Sequence, residues 1–334
     1  MTNWTDMAHE IADNILFPVA GRVDADGQIP ESHFEVLADH GFYGLAAADE
    51  TEVTPSVLVE VVETLCGGCL ATGFTWIQHF GPAAVIANSP NSDLRERYLA
   101  GLLDGTIRAG GSNAGAIPVP PLLWARRGDD GYVLDGFAPF VTGWGMIDLL
   151  MVLARDEVDN SIVQAFIPTD SLPGLSAELL PLIAARGSNT VRLSFDGVTV
   201  PREMVAASLT PEEFAEGQPF VMWLGGCAAM GITRRAITEL KALCADAEPF
   251  EKQVAQARLD LDAALEGRAE IADARACASA LAVRTATALV TAKGGSSAVA
   301  GNTAERLMRE ATFTLVIAGR PTIKSALLKR LSHD

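Results

Sequence analysis

Apolar side chains recur at the spacing of one helix face over residues 1 to 105. Ile11, Ile15 and Leu16 follow that spacing until Pro18 interrupts it. Pro30 opens and Gly41 closes a second run, the start and stop residues a helix favours. From Ser56 to Leu65 apolar residues repeat around Glu60 and Glu63, and Asn91-Ser-Asp93 caps a run ending at Leu103. The period changes over residues 106 to 205. Gly131-Tyr-Val-Leu-Asp-Gly136 and Asn189-Thr-Val-Arg-Leu-Ser-Phe-Asp196 alternate, and Gly197-Val-Thr-Val-Pro201 follows. Leu149 to Ala154 and Ser161 to Pro168 read as buried strands. Helical spacing returns at Thr210-Pro-Glu-Glu213, an N-cap with Pro at the first helical position and early acids. A Gly- and Ala-rich stretch from Phe214 to Ala245 follows, then Glu251 to Leu265 and Arg268 to Ala292. Gly294-Gly-Ser-Ser297 breaks the pattern, and Asn302 to Ile317 and Thr322 to Leu331 finish the chain.

Helices, then strands, then helices predict an α+β fold. We expect an N-terminal helical domain over 1–105, a central antiparallel β-domain over 106–208 and a C-terminal helical bundle over 209–334. A doubly wound sheet is excluded, because strands and helices do not alternate and no GxGxxG follows a strand.

A 334-residue chain that is 49% hydrophobic buries a large core. No apolar run reaches the roughly 20 residues of a membrane span. Met1 to Glu10 carries acids and no basic segment, so no signal peptide is expected. The net charge of −17 argues against a nucleic-acid partner, though a local basic pocket could still hold an anion. Five cysteines do not make a disulfide framework, and a reducing cytoplasm is the expected home. Cys66-Gly-Gly-Cys69 has redox or half-zinc-site spacing. No second Cys or His pair follows it, so it reads as small residues packing in a helix, with no metal expected.

Several segments share one colinear pattern. They are Phe17-Pro-Val-Ala-Gly-Arg-Val-Asp24, Leu37-Ala-Asp-His-Gly-Phe-Tyr-Gly-Leu45 and Gly131-Tyr-Val-Leu-Asp-Gly-Phe-Ala-Pro-Phe-Val-Thr-Gly143. Arg186-Gly-Ser-Asn-Thr-Val-Arg-Leu-Ser-Phe-Asp-Gly-Val-Thr-Val-Pro201, Lys293-Gly-Gly-Ser-Ser297 and Ala304-Glu-Arg-Leu-Met-Arg-Glu-Ala311 complete it. In this order they resemble the acyl-CoA dehydrogenase family across essentially the whole chain. The resemblance implies an FAD-dependent oxidoreductase acting on an acyl thioester. It places Phe140, Val141 and Thr142 along the isoalloxazine, with the Thr142 hydroxyl near the reactive flavin nitrogen, where it steadies charge as hydride arrives. Without the resemblance, Thr142 is an ordinary strand residue with a satisfied hydroxyl. The family's glycines at the pyrophosphate fall on Gly294 and Gly295, which also suit a helix C-cap. The family also implies a homodimer or homotetramer.

The sequence departs from the family pattern at three places. Arg108-Ala-Gly-Gly-Ser-Asn-Ala-Gly-Ala116 stands where the family has T-E-P-x-A-G-S-D, leaving Ser112 and Asn113 as substitute hydrogen-bonding groups. Glu248-Pro-Phe-Glu251 replaces R-x-x-F-G, and the helices after it look short. Ala318 stands at the Glu of Y-E-G, and Phe220 to Gly225, the alternative location, has no acid. Dehydrogenation needs a base for the α-proton. His79, in an apolar stretch, is the candidate, against the bland reading of a buried histidine satisfied by a neighbour. His9, His33, His40 and His333 sit among polar residues and are expected to be solvated. Glu212, Glu213 and Glu216 read as charges at a helix start. Arg320 is a candidate for binding a CoA or acyl carboxylate, or else neutralises a helix C-terminus. Two further readings stay open: a flavin monooxygenase of the same fold, or a non-catalytic subunit paired with a Glu-bearing paralogue.

Overall fold

The computed structural model describes residues 3–47, 53–170 and 172–332, so His333 lies outside the described residues. Helix α1 (Trp4–Ile11) continues through a π turn at Ala12–Leu16 into α2 (Phe17–Asp26). Pro18 does not break the helix as expected. It falls in the first turn of α2, where the absent N–H does little harm. Gly27, at φ 66, ends α2 in the left-handed conformation that glycine adopts without strain. Next come α3 (Glu31–Asp39), α4 (Pro55–Gly68), α5 (Leu70–Ile77), α6 (Phe80–Asn88) and α7 (Ser92–Asp104). The side chains of Thr54 and Asn91 accept backbone N–H groups at the starts of α4 and α7.

Eight strands follow: β1 (Ala109–Ser112), β2 (Leu123–Gly128), β3 (Gly131–Val141), β4 (Leu149–Asp156), β5 (Ile162–Pro168), β6 (Leu175–Leu179), β7 (Val191–Pro201) and β8 (Val205–Leu209). They form one sheet in the order β6-β7-β3-β2-β4-β5-β8, with β1 beside β4. The sheet is mixed rather than wholly antiparallel. Both β1 and β2 run parallel to β4, β1 along its first half and β2 at Arg155 and Asp156. Every residue of β4 is buried: the run Leu149 to Ala154 is apolar, and Arg155 and Asp156 are buried with hydrogen-bond partners. Along β7, Val191, Leu193 and Phe195 face in while Arg192, Ser194 and Asp196 face water.

Helices resume with α8 (Pro211–Glu216), α9 (Gln218–Ala242), α10 (Glu248–Leu265), α11 (Ile271–Lys293), α12 (Thr303–Thr314) and α13 (Pro321–Leu331). The expected long stretch from Phe214 is divided at Gly217 between α8 and α9. The Thr210 hydroxyl accepts the Glu213 N–H, and the Glu213 carboxylate accepts the Thr210 N–H at 2.8 Å, so Glu213 is a capping acid.

Among the described residues, two large cores and a small cluster of Ala276, Ile323 and Leu327 divide the interior. One joins the early helices to the late ones, with Leu65, Cys66 and Trp76 against Trp223, Cys227, Met230, Leu281 and Leu307. The other lies between the sheet and Ala83, Ile86, Leu94 and Leu102 of α6 and α7. Helices α4 and α9 meet backbone to backbone. A Cβ on Gly231 would stand 2.3 Å from the Glu63 carbonyl oxygen, and one on Gly67 would stand 2.8 Å from that of Gly231. Buried Glu63 is neutralised at the same crossing by Arg234 at 3.0 Å and by Arg258.

Candidate functional site

The ends of β1 and β3 converge on α5 and on a 3₁₀ turn at Arg186–Ser188. Gly110 makes the convergence possible, since a Cβ there would approach the Thr142 carbonyl oxygen to 3.3 Å. At the mouth of β1, Ser112 is 1% exposed. Its Oγ and the Asn113 Oδ1 are buried without a hydrogen-bond partner. A buried polar atom without a partner carries a desolvation cost of about 1–3 kcal/mol, so such atoms mark where an absent group is due.

Thr142 is buried, and its Oγ1 lies 3.2 Å from the Thr190 Oγ1, which lies 2.8 Å from the Ser188 Oγ. The Gly143 N–H donates to the Ser188 carbonyl at 2.8 Å, and the Asn189 side-chain amide donates to the Trp144 carbonyl. Val141 is wholly buried opposite Val191. Phe140 behaves differently. A break in register between Ala138 and Val141 turns it outward, 64% exposed and at φ 59. The structure therefore brings Ser112, Asn113, Phe140, Val141 and Thr142 to one end of the sheet. Thr75 of α5 joins them unannounced. Its hydroxyl is also buried without a partner, and a Cβ on Gly143 would touch its methyl at 3.4 Å. Nothing in the sequence singles out Thr75, whereas Ser188 and Thr190 lie inside a quoted motif. A cleft of about 790 Å³ opens on the far side of the turn, between Val23, Ile29 and Glu31 and the segment Trp144 to Met146.

Both ring nitrogens of His79 are engaged by backbone groups. The residue is 1% exposed. Its Nε2 faces the Leu102 carbonyl at 3.0 Å and its Nδ1 accepts the Ala109 N–H at 3.1 Å. Those partners fix the neutral tautomer with hydrogen on Nε2 and leave no lone pair for a substrate proton. Burial pushes its pKa down to about 4. His33, expected in solvent, is also buried. Its Nδ1 lies 2.8 Å from the Thr72 hydroxyl, and burial lowers its pKa.

Gly294 and Gly295 stand apart from the sheet. They begin a 3₁₀ turn, Gly294–Ala298, that packs on α11 and α12, and a Cβ on either would meet open space. Gly294 caps α11 at φ 70 and ψ −153, a conformation reserved for glycine. Arg320 does not neutralise a helix C-terminus. It precedes α13 as its N-cap and donates to the Gln218 Oε1 at the start of α9. Half-burial lowers its pKa. The end of α12 is met instead by Arg275, whose Nη2 donates to the Thr314 carbonyl at 2.8 Å. Arg275 is fully buried, and desolvation brings its pKa to about 10. Beyond α12, Ala318 is exposed and left-handed at φ 48. Phe313 packs edge-on against Phe74 of α5, with centroids 5.4 Å apart.

The model of the acyl-CoA dehydrogenase N-terminal domain matches residues 2–106. A short-chain-specific acyl-CoA dehydrogenase of Clostridium acetobutylicum is 23% identical, over 96% of this chain and 95% of its own. The cyclohex-1-ene-1-carbonyl-CoA dehydrogenase of Geobacter metallireducens is 26% identical, over 94% and 93%. Butyryl-CoA dehydrogenase from Megasphaera elsdenii superposes with a TM-score of 0.85 at 20% identity, covering 100% of this chain and 99% of that one. No helix among the described residues is long and apolar enough to cross a membrane. The same succession of helices, sheet and helices thus runs through relatives matched end to end: the chain has the acyl-CoA dehydrogenase fold, and its first third matches that family's N-terminal domain.

Proposed function

We propose that the protein is an FAD-dependent oxidoreductase that acts on an acyl-CoA-type thioester. The observation that carries this reading is the pair of unpartnered buried polar atoms at Ser112 and Asn113, at the end of the strand whose Gly110 lies against Thr142, together with the exposed ring of Phe140. This set of one hydroxyl and one amide acceptor fits a flat, polar-edged ring system. Ser112 and Asn113 would bond its polar edge, Phe140 would cover one face, and Thr142 would offer its hydroxyl to the reactive nitrogen. Bound FAD would supply the hydride acceptor. The curated relatives are named for acyl-CoA substrates, which motivates the thioester.

The α-proton has no acceptor in the expected place. Ala318 carries no carboxylate, and both His79 nitrogens are engaged. These two facts favour a second reading, in which a Glu-bearing paralogue completes the reaction in a heteromer. The test begins with the purified chain and added FAD. A flavin band near about 450 nm that bleaches with acyl-CoA under anaerobic conditions supports a self-sufficient dehydrogenase. A bound flavin that bleaches only with a paralogue present supports the heteromer. Oxygen uptake with supplied reduced flavin would move the assignment to a monooxygenase. A chain that takes up no FAD, alone or with a paralogue, overturns the flavin assignment.

A further inference from the structure

We propose that Arg309 is a positioning residue for the Thr142 hydroxyl, acting through the 3₁₀ turn Arg186–Ser188. The proposal rests on the flavin reading only for its consequence at the ligand. The mechanical part concerns this chain alone.

One guanidinium joins three segments. Arg309 of α12 grips both carboxylate oxygens of Asp24 in α2, at 3.0 and 2.6 Å, and donates to the Ile183 carbonyl at 2.8 Å. Glu305, one turn back on α12, holds the same guanidinium from behind. Ile183 lies three residues before the turn. The turn itself is bracketed by two left-handed residues that are not glycine, Ala185 at φ 52 and Asn189 at φ 45. Asn adopts this conformation readily, but at Ala185 it persists only where surrounding contacts impose it. On one side, α2 lies directly on the turn, since a Cβ on Gly187 would stand 2.9 Å from the Val23 Cγ1. On the other side the turn presents Ser188 and Thr190 to Thr142, and the Ser188 carbonyl to the Gly143 N–H.

Hydrogen counting explains why the turn's position matters. Each hydroxyl has one hydrogen to donate. If Ser188 donates to Thr190 and Thr190 donates to Thr142, the Thr142 hydrogen is left for a ligand. A turn displaced from β3 removes that relay, and Thr142 is then free to spend its hydrogen elsewhere. A lysine in place of Arg309 keeps the charge but cannot fork onto Asp24 while also reaching Ile183.

The experiment compares wild type, R309K, T190V and the double variant. Amide hydrogen exchange is followed by NMR or mass spectrometry without flavin, and FAD affinity is followed by titration. R309K is expected to remain folded, to speed exchange at Gly143 and Ser188 about tenfold or more, and to weaken FAD by about tenfold. T190V is expected to weaken FAD similarly, and the double variant no further, because both act through one relay. An R309K protein that melts lower but exchanges Gly143 and Ser188 as wild type does would reduce Arg309 to a structural ion pair and overturn the proposal. Additive losses of FAD affinity would also overturn it. Wild type that binds no FAD sinks the flavin reading, while the exchange measurement still decides the role of Arg309.

Discussion

At the scale of single residues, burial and hydrogen-bond accounting separate Thr142 from His79, two polar residues that look equally available in the sequence. Thr142 shares one hydroxyl contact, whereas His79 has backbone partners on both nitrogens. The Thr142→Val variant keeps the side-chain shape. It should lose about 1 kcal/mol of stability, yet weaken FAD binding by about tenfold. Titration of the flavin band checks this, and unchanged affinity would exclude Thr142 from the site. Ala318 permits the converse experiment. Its left-handed backbone already accommodates a Cβ, so Ala318→Glu adds a carboxylate at little further backbone cost. Anaerobic bleaching of bound flavin by acyl-CoA should appear in, or speed up with, this variant. No gain would mean that the turn does not face the thioester. Phe140, Val141 and Thr142 were singled out because a long motif carried them. Thr75 and Arg275 were not, because their significance depends on partners far away in sequence: Gly143 for one, Thr314 for the other.

At the scale of elements, helical periodicity located the long helices, and an unbroken apolar run identified β4. It did not reveal β1. The sequence Ala-Gly-Gly-Ser has no strand signature, and only its pairing with β4 makes it one. The mixed character of the sheet was hidden for the same reason, since a parallel pairing leaves no turn between neighbours. Glycines in α4 and α9 read as small residues packing in helices, and they set a backbone-to-backbone crossing. Gly231→Ala would drive its Cβ into the Glu63 carbonyl, and separating the helices should cost about 3 kcal/mol. A urea denaturation curve measures this, and a loss below about 0.5 kcal/mol would mean that the crossing is slack.

At the scale of the whole molecule, two buried neutral histidines tie stability to pH. The folded pKa of His79 lies near 4 and that of His33 is also lowered, both below the ordinary value of 6.5. Above 6.5 both states leave the imidazoles neutral, so the full stability is present. As pH falls, the unfolded chain takes up the protons first, and stability drops until the folded His79 is protonated near 4. For His79 alone the loss between pH 6.5 and 5 is about 2 kcal/mol. Urea midpoints at pH 7 and pH 5 test this, with His79→Gln as control, since an amide can reproduce both backbone bonds without titrating. An unchanged pH dependence in that variant would show that other groups govern the acid limb.

The core shared between early and late helices has a consequence for biosynthesis. Leu65, Cys66 and Trp76 leave the ribosome well before Trp223, Cys227 and Met230, which cover them. At ordinary elongation rates, the interval between completing α7 and completing α9 is roughly 10–30 s. Throughout that time the first helices carry an uncovered apolar face, and the intervening sheet cannot shield it, because its own core is built on α6 and α7. The nascent chain is therefore prone to aggregate until α9 is made. Truncation anywhere before α9 should yield insoluble protein rather than a smaller folded unit.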